Sequence, residues 1–166
     1  MNYSGNIKYT VRKMRREEYS LLNDFLYEAI YIPDGMEPPL KTIINSPELQ
    51  VYVADFGNQE HDKAFAADVE GTIAGAAWVR IMNDYGHIDD DTPSLAISVR
   101  KEYRSLGIGT ALLKELLADL KADGYAKVSL SVQKENYVVK MYEKAGFQVL
   151  KETGEEYIMV WSAKSK

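Results

Sequence analysis

Arg104-Ser105-Leu106-Gly107-Ile108-Gly109 is the stretch that decides the fold of this 166-residue chain. The apolar run from Leu95 to Val99 comes just before it and predicts a buried strand. The residues after it place leucines 112, 113, 116, 117 and 120 on one face of a helix. We therefore predict a strand, a short turn that contains two glycines, and a helix.

The turn between this strand and this helix predicts an anion-binding site. The first backbone N–H groups of a helix have no partner inside the helix, and the helix dipole places partial positive charge there. Glycines allow a ligand to approach the backbone closely, and Arg104 adds a fixed positive charge. The expected ligand is an anion, most naturally a phosphate.

Two common phosphate-binding motifs do not fit the stretch. A P-loop requires Gly-Lys-Ser/Thr, whereas Gly109 is followed by Thr110 and Ala111. A dinucleotide-binding fold requires a third glycine, where this chain has Leu112, and an acidic residue at the end of the next strand, where it has Val132-Gln133. A nucleotide-binding domain is therefore a weak alternative, and a plain junction between strand and helix stays open at this point.

Composition predicts a single globular domain over residues 1–166, with 46% hydrophobic and 27% charged residues. The formal net charge of −5 argues against a general nucleic-acid-binding protein, whose surface would be basic. The same charge mildly favours cationic substrates such as amines. These observations predict an ordinary globular protein that does not bind nucleic acid.

Residue usage also excludes several chemistries. The chain has no cysteine, which excludes disulfides, thiolate metal sites and cysteine nucleophiles. His61 and His87 stand apart, without the spacing of metal ligands. No apolar run approaches the length of a membrane span, and no signal peptide opens the chain. We expect a cytoplasmic, metal-free protein that does not bind membranes.

Hydrophobic periodicity predicts the remaining elements. Strands are expected at residues 7–12, 64–70, 73–82, 94–99, 128–132, 147–150 and 157–161. Helices are expected at residues 17–31, from 38 through 44, around 49–56, after the glycine turn, and from 136 to a stop at 146. This order fits a mostly antiparallel sheet with one parallel pair, which the strands at 94–99 and 128–132 form through a right-handed crossover.

A second motif follows near the end of the chain. Asn136 begins a predicted helix, Tyr142 follows six residues later, and Gly146-Phe147 follow four residues after that. Together with the Arg-x-x-Gly-x-Gly turn, this pattern resembles the GNAT superfamily of acetyl-CoA-dependent N-acetyltransferases, over nearly the whole chain. The resemblance implies an α/β (α+β) fold. Its single central, mostly antiparallel seven-stranded sheet has one parallel splayed strand pair and about four helices packed around it.

The resemblance implies transfer of an acetyl group from acetyl-CoA, the acyl-donor substrate, to a primary amine that attacks the thioester directly. The pantetheine arm would pair with backbone near Val99, and the pyrophosphate would meet the glycine turn. Tyr142 would act as general acid at the sulfur, since a phenol with its ordinary pKa near 10 is protonated at neutral pH. The residues implied to contact the cofactor are Ile97, Ser98, Val99, Arg104, Ser105, Leu106, Gly107, Ile108, Gly109, Thr110, Asn136 and Tyr142.

The sequence defines the residues that would contact the amine acceptor less well than those that would contact the cofactor. Tyr31 and Met36 lie in a proline-containing segment between two helices, where loops often carry recognition, although an ordinary connector is an equal alternative. Trp78 and Arg80 share one face of a predicted strand. We predict acceptor contacts for Tyr31, Trp78 and Arg80.

The general base stays open. Many members of the superfamily carry a glutamate early in the fourth strand, whereas this chain has Thr92-Pro93-Ser94-Leu95. Asp89, Asp90 and Asp91 are the nearest substitutes, and Glu28 is another candidate. A solvated acidic loop without a catalytic role is the alternative for the three aspartates.

Two function classes stay open with the resemblance. The leading one is an N-acetyltransferase, and the alternative is a non-catalytic acyl-CoA-binding or regulatory module on the same fold. The acceptor is expected to be a small-molecule or peptide amine: polyamines, amino acids, antibiotics, peptide N-termini and protein lysines all fit. If oligomers form, we expect a homodimer through the apolar strand at 157–161, which we place at an edge of the sheet.

Overall fold

Eight strands and four α-helices make up the regular structure of residues 2–4 and 7–163, the part of the chain that this computed structural model describes. The strands are β1 (Asn2–Ser4), β2 (Ile7–Lys13), β3 (Lys63–Val69), β4 (Thr72–Arg80), β5 (Ser94–Val99), β6 (Lys127–Gln133), β7 (Gln148–Thr153) and β8 (Glu156–Ser162). The helices are α1 (Leu22–Glu28), α2 (Pro47–Gln50), α3 (Ile108–Ala122) and α4 (Val139–Lys144). Short 3₁₀ helices cover Arg16–Leu21, Lys41–Asn45 and Lys101–Tyr103.

The strands form one sheet in the order β1-β2-β3-β4-β5-β6-β8-β7. Neighbouring strands run antiparallel except β5 and β6, which are parallel and are joined through α3. The predicted mostly antiparallel sheet with one parallel pair and about four helices is confirmed, with its seven strands at β2–β8. The eighth strand, β1, is only three residues long, which is too short to give a periodic signal in the sequence.

Each face of the sheet carries its own hydrophobic core. On one face, α3 buries the leucines that the sequence predicted, and Tyr142 of α4 joins the same core. On the other face, Leu22, Phe25 and Leu26 of α1 pack with Trp78 of β4. The sheet thus separates an α3–α4 face from an α1–α2 face.

The first three predicted helices are shorter and more irregular in the structure. The segment predicted as residues 17–31 begins with the 3₁₀ helix and continues as α1, which ends at Glu28. The region after Pro38 forms a second 3₁₀ helix and then the four-residue α2, and the chain continues in turns that bury Val53 and Phe56. Apolar spacing did not reveal this because 3₁₀ turns also bring residues three apart to one side.

The strand expected at the edge of the sheet lies inside it. β8 pairs with β6 on one side and with β7 on the other, so β7 is the edge strand at this end. β7 is exposed along its whole length and carries Lys151 and Glu152, charges that oppose edge-to-edge pairing. The premise for dimerisation through residues 157–161 was therefore wrong, because the sequence predicts the closing hairpin but not which of its strands meets β6.

Candidate active site

The parallel strands β5 and β6 form a gap in the sheet. They pair at one position only, Ser94 opposite Ser129, where the Ser129 N–H also donates to the Pro93 carbonyl at 3.1 Å. On their outer sides, β5 pairs with β4 and β6 pairs with β8 along their whole lengths. The strands therefore diverge from Ser94 towards Val99. This gap, which we call the fork, exposes backbone groups that an extended ligand with amide groups can pair with as an added strand does.

The glycine turn lies between the open end of β5 and the start of α3. Ser105 and Gly107 have left-handed backbone, with φ of 64° and 83°, and Gly107 is the N-cap of α3, which has no side-chain cap. The N–H of Ala111 donates to the Gly107 carbonyl at 3.1 Å. The N–H groups of residues 108–110 therefore have no acceptor within the helix, which is the backbone geometry that anion binding requires.

Two glycines allow four elements to converge at the mouth of the fork. A Cβ atom added at Gly75 of β4 would lie 3.0 Å from the Ser98 carbonyl oxygen of β5. A Cβ added at Gly109 would point at α4 and β5, at 3.3 Å from Met141 Sδ and 3.8 Å from Val99 Cγ2. The start of α3 therefore lies close to both β5 and α4 at the mouth of the fork, and a side chain at position 109 would press on Met141.

Arg104 connects the turn to both β5 and α1. Its Nε donates to the Val99 carbonyl at 2.8 Å, and its Nη2 donates to the Glu28 carboxylate at 3.1 Å. The Arg104 side chain is 35% exposed, and that of Glu28 is 24% exposed. A positive charge is thus held at the mouth of the fork, and Glu28 is engaged by it, which makes Glu28 a weak candidate for a free base.

Asn136 lies in the turn between β6 and α4. Its side-chain Oδ1 accepts a hydrogen bond from the Val138 N–H at 3.1 Å, and α4 itself begins at Val139. The sequence predicted that Asn136 would be the N-cap of this helix, but it stabilises the turn just before the helix instead. The fixed turn places the Asn136 side chain beyond the end of β6, one of the two strands that line the fork.

Tyr142 lies on α4 against the core below α3. Its side chain is only 7% exposed, and its ring lies 5.6 Å from the ring of Phe147, centroid to centroid. Burial raises the pKa of the Tyr142 phenol above its ordinary value. The phenol hydroxyl makes no hydrogen bond within the described residues 7–163. Tyr142 is therefore held in its protonated form with a donor that remains available.

A cavity of about 300 Å³ lies between α3 and α4, outside the fork. Its lining includes Thr110 of α3 and two lysines, Lys114 and Lys144, as well as the ring of Trp161. An apolar ring with two ammonium groups suits a ligand that carries both a flat ring and negative charge. The cavity begins one residue beyond Gly109, so it extends the anion-binding turn along the helix.

Two residues predicted to contact the acceptor lie in the interior instead. Trp78 is fully buried, and its Nε1 donates to the Tyr52 carbonyl at 3.0 Å. Arg80 is 2% exposed and forms two hydrogen bonds to Asp62, at 3.0 and 2.9 Å. Tyr31 is half-buried in the segment after α1. Trp78 and Arg80 share a face of β4, as predicted, but the turns after α2 cover that face.

Arg80 is predicted to stabilise the fold and not to bind a substrate. Replacing Arg80 with lysine keeps the charge but loses the paired contact with Asp62, and we expect a loss of about 1–3 kcal/mol in the free energy of unfolding. Urea denaturation measures this loss, with the exposed Arg15→Lys as control. An unchanged stability, together with a raised acceptor KM, would restore the substrate role.

The aspartates proposed as the base lie at the paired end of the fork. Asp89 forms an ion pair with Lys127 at 3.7 Å, at the start of β6 and before the Ser129 position. Hydrogen bonds, foremost that from Thr92, lower the pKa of Asp89. Asp90 is 96% exposed and lies 3.3 Å from His87. These groups are solvated or engaged, which matches the alternative of an acidic loop without a catalytic role.

A different carboxylate of the same loop, Asp84, was not among the candidate bases predicted from the sequence. Asp84 accepts hydrogen bonds from the Tyr52 hydroxyl at 2.9 Å and from Ser94 Oγ at 2.8 Å. Only its membership of the acidic loop pointed to it, because its partners are 32 and 10 residues away along the chain. Its role is considered further below.

The arrangement of a splayed parallel strand pair beside a glycine turn and helix start is that of the acetyltransferase fold. The model of the acetyltransferase (GNAT) family matches residues 26–147. The chain therefore belongs to the GNAT acetyltransferase family.

Similar proteins agree with this membership. An N-alpha-acetyltransferase of Sulfurisphaera tokodaii is 33% identical over 103 residues, covering 56% of this chain and 61% of the relative. The crystal structure of a PaiA N-acetyltransferase from Thermoplasma acidophilum in complex with coenzyme A has a TM-score of 0.69 at 22% identity, covering 94% of this chain and 99% of that one. The ribosomal-protein-S18-alanine N-acetyltransferase of Escherichia coli has a TM-score of 0.66 at 20% identity, with 96% of each chain covered.

The curated relatives and the similar structures match this chain over different lengths. The chain spans 61% of the length of the curated relatives that it matches, while the similar structures show the shared fold over nearly the whole chain. Among residues 2–4 and 7–163, no helix is long and apolar enough to cross a membrane.

Proposed function

We propose that the protein transfers the acetyl group of acetyl-CoA to a primary amine. The observation that carries the proposal is the fork, which opens onto the anion-binding start of α3 and is flanked by the helix that holds Tyr142. A ligand with an extended amide arm, a pyrophosphate and a terminal flat ring matches this series of features. Acetyl-CoA has these parts in this order.

The residues present fit acetyl-CoA as the acyl-donor substrate. The backbone of Ile97, Ser98 and Val99 lines one side of the fork and would pair with the pantetheine arm. The N–H groups at the start of α3, with the charge of Arg104, would hold the pyrophosphate. The lysine-containing cavity beyond Gly109 would receive the nucleotide end.

The chemistry follows from these placements. The amine nitrogen attacks the carbonyl carbon of the thioester, an N–C bond forms, and the C–S bond breaks. The departing thiolate needs a proton, and Tyr142 is the buried phenol that would supply it, since burial raises its pKa and so keeps the phenol protonated until the sulfur takes the proton. Without such a donor the sulfur would leave as a thiolate anion.

The acceptor is proposed to be cationic before it loses its proton, because the chain carries a net charge of −5. Two of the similar proteins are named for α-amino or alanine acceptors, so peptides with a free N-terminus belong among the first amines to test. Polyamines, amino acids and protein lysines complete the panel.

Thiol release tests the proposal directly. Wild-type protein with acetyl-CoA should release free CoA thiol faster when an accepted amine is present than with acetyl-CoA alone. CoA at 100 times its dissociation constant should also stabilise the fold by about 2.7 kcal/mol, because it binds only the native state. Thermal stabilisation by CoA without thiol release for any amine in the panel would favour the non-catalytic binding module.

A further inference from the structure

The loop between β4 and β5 crosses the fork at the point where its two strands begin to diverge. Asp84 bonds to Ser94 of β5, and the Gly86 carbonyl accepts a hydrogen bond from Ser129 Oγ of β6 at 2.7 Å. A Cβ added at Gly86 would lie 3.0 Å from the backbone of Leu130 and of Ser131. The loop is thus anchored to both strands, directly beside their single paired position.

This anchoring is on the face of the sheet opposite α3 and α4. Leu95, Val128 and Leu130 belong to the core below α3. Side chains alternate along a strand, so Ser94 and Ser129 point to the other face. Asp84 therefore lies on the α1–α2 face, whereas Tyr142 lies on the α3–α4 face.

The Asp84 carboxylate is held in a defined orientation. Its Oδ2 accepts the hydroxyl hydrogen of Tyr52, and its Oδ1 accepts that of Ser94, whose side chain is fully buried. A carboxylate can accept hydrogen bonds at both oxygens, so these two hydroxyl contacts suit an Asp84 that serves as a proton acceptor. The orientation of Tyr52 is fixed in turn, because its carbonyl accepts the Trp78 Nε1–H.

From this geometry we propose that Asp84 accepts the proton of the attacking amine. The inference rests on the proposed acetyl transfer and assigns its missing base. An acyl group in the fork has α3 and α4 on one face. On the other face, α1 packs against β5 near Ser98, so the amine is placed near the start of β5, where Asp84 lies beside a strand start that lacks a glutamate.

The proton balance of the step is complete. As the nitrogen lone pair forms the N–C bond, one N–H proton passes to Asp84, directly or through one water. As the C–S bond breaks, the sulfur keeps the electron pair and takes a proton from Tyr142. Exchange with water then returns Asp84 to the carboxylate and Tyr142 to the phenol.

The surroundings of Asp84 set the expected pH response. Burial, followed by the charge of Asp84 and the hydrogen bond to it, raises the pKa of Tyr52, so Tyr52 remains a donor. Tyr85 on the same loop and Glu156 of β8 are the other titratable groups that act on Tyr52. Tyr52 therefore stays a donor to Asp84, and the acidic limb does not report the titration of Tyr52.

Rates of thiol release with hydroxylamine, measured against pH, test the assignment. Hydroxylamine is a minimal amine that is largely unprotonated at neutral pH, and kcat/KM calculated on its unprotonated concentration at each pH removes the titration of the amine, so the remaining acidic limb reports the enzyme. Asp84→Asn should lower kcat about 100-fold and remove this limb, because a general base contributes at least about 10². Tyr52→Phe should keep the limb, because the Asp84 carboxylate and its bond from Ser94 remain, and should lower kcat, because one of the two donors that orient Asp84 is lost. The exposed Asp55→Asn should match wild type.

Two outcomes overturn the proposal. In the first, Asp84→Asn retains the wild-type acidic limb. If kcat is also normal, Asp84 has no catalytic role, and if kcat is lowered equally at every pH, its role is structural. The second is a protonated Asp84 at pH 7 in the CoA complex, because a protonated carboxyl group cannot be the base. Carboxyl ¹³C NMR measures this, and the Asp84 signal is assigned by its absence in Asp84→Asn. Absence of wild-type thiol release with all amines instead refutes the proposed function, and unchanged CoA affinity in Asp84→Asn shows that the variant is folded.

Discussion

Replacing Gly109 with valine is expected to weaken CoA binding about 5- to 100-fold. A side chain at this position points towards Met141 of α4 and Val99 of β5, which meet at the mouth of the fork. Valine would fill the space through which an extended ligand passes from the strands to the helix start. Over-packing of this kind typically costs about 1–3 kcal/mol, and 1.4 kcal/mol corresponds to a tenfold change in affinity. Isothermal titration with CoA measures the effect.

The control for Gly109→Val lies on the same helix. Ala118 is exposed on α3, so Ala118→Val introduces the same branched side chain without reaching the fork. Both variants should keep the far-ultraviolet circular dichroism of wild type. Gly107→Val is less informative, since the left-handed φ of 83° at Gly107 makes any side chain strain the backbone itself. If Gly109→Val bound CoA with wild-type affinity, the glycine turn would not be part of the cofactor site.

The strand–turn–helix unit could be predicted from sequence because its signals are local. The buried leucines of α3 and the two glycines of the turn are visible within one continuous stretch, and the structure has a helix from Ile108 to Ala122 there. The sequence predicts the fork less directly than it predicts this unit. The sequence predicts that β5 and β6 are parallel, but their separation after Ser94 came only from the family resemblance.

The errors on the acceptor side arise from contacts that are distant along the chain. Alternation along β4 correctly placed Trp78 and Arg80 on one face, but it says nothing about what covers that face. In the structure, the carbonyls of Val51 and Ala54 accept hydrogen bonds from Arg80, and Asp62 neutralises its charge. Alternation along a strand shows which face a side chain is on, but not whether other elements cover that face. Arg80, which was predicted to contact a ligand, is therefore buried in the structure.

Asp84 was missed for the same reason, because the residues that bond to it are distant along the chain. Among four aspartates in one loop, nothing local identifies Asp84, and the sequence favoured Asp89, Asp90 and Asp91 because they lie just before the strand. What separates them is the path of the loop, which bonds Asp84 to Ser94 and leads Asp89 to Lys127. In the role that we propose for Asp84, a carboxylate of an adjacent loop takes the place of a strand glutamate and is positioned by Ser94, a small hydroxyl residue on the strand.

Replacing Tyr142 with phenylalanine is expected to lower kcat by about 10²–10⁴, the usual contribution of a general acid. The ring stays, so its packing against Phe147 and the core below α3 is kept. The hydroxyl makes no hydrogen bond within residues 7–163, so its loss leaves no buried partner unsatisfied there, and the fold should retain its stability. CoA affinity should also remain, because the proposed cofactor contacts of the turn and strands do not involve the phenol.

The rate measurement needs a control for the loss of a buried hydroxyl. Tyr9 belongs to the same core, is 5% exposed, and has a pKa raised by burial, yet it lies on β2, three strands away from β5. Tyr9→Phe therefore makes the same chemical change without reaching the fork, and it should leave kcat unchanged. A loss in both variants would point to the core and not to the leaving sulfur.

The effect of Tyr142→Phe should appear in kcat and in kcat/KM alike, because the phenol acts once the thiolate begins to form and not on bound substrate. Since burial raises its pKa, Tyr142 should keep its proton through neutral pH, and the wild-type rate should show no basic limb from this group below its ordinary pKa near 10. Single-turnover rates at saturating acetyl-CoA isolate this step. A Tyr142→Phe enzyme with wild-type single-turnover rates would make the tyrosine a packing residue, and the fork would then bind the acyl donor without the acid that we assign to it.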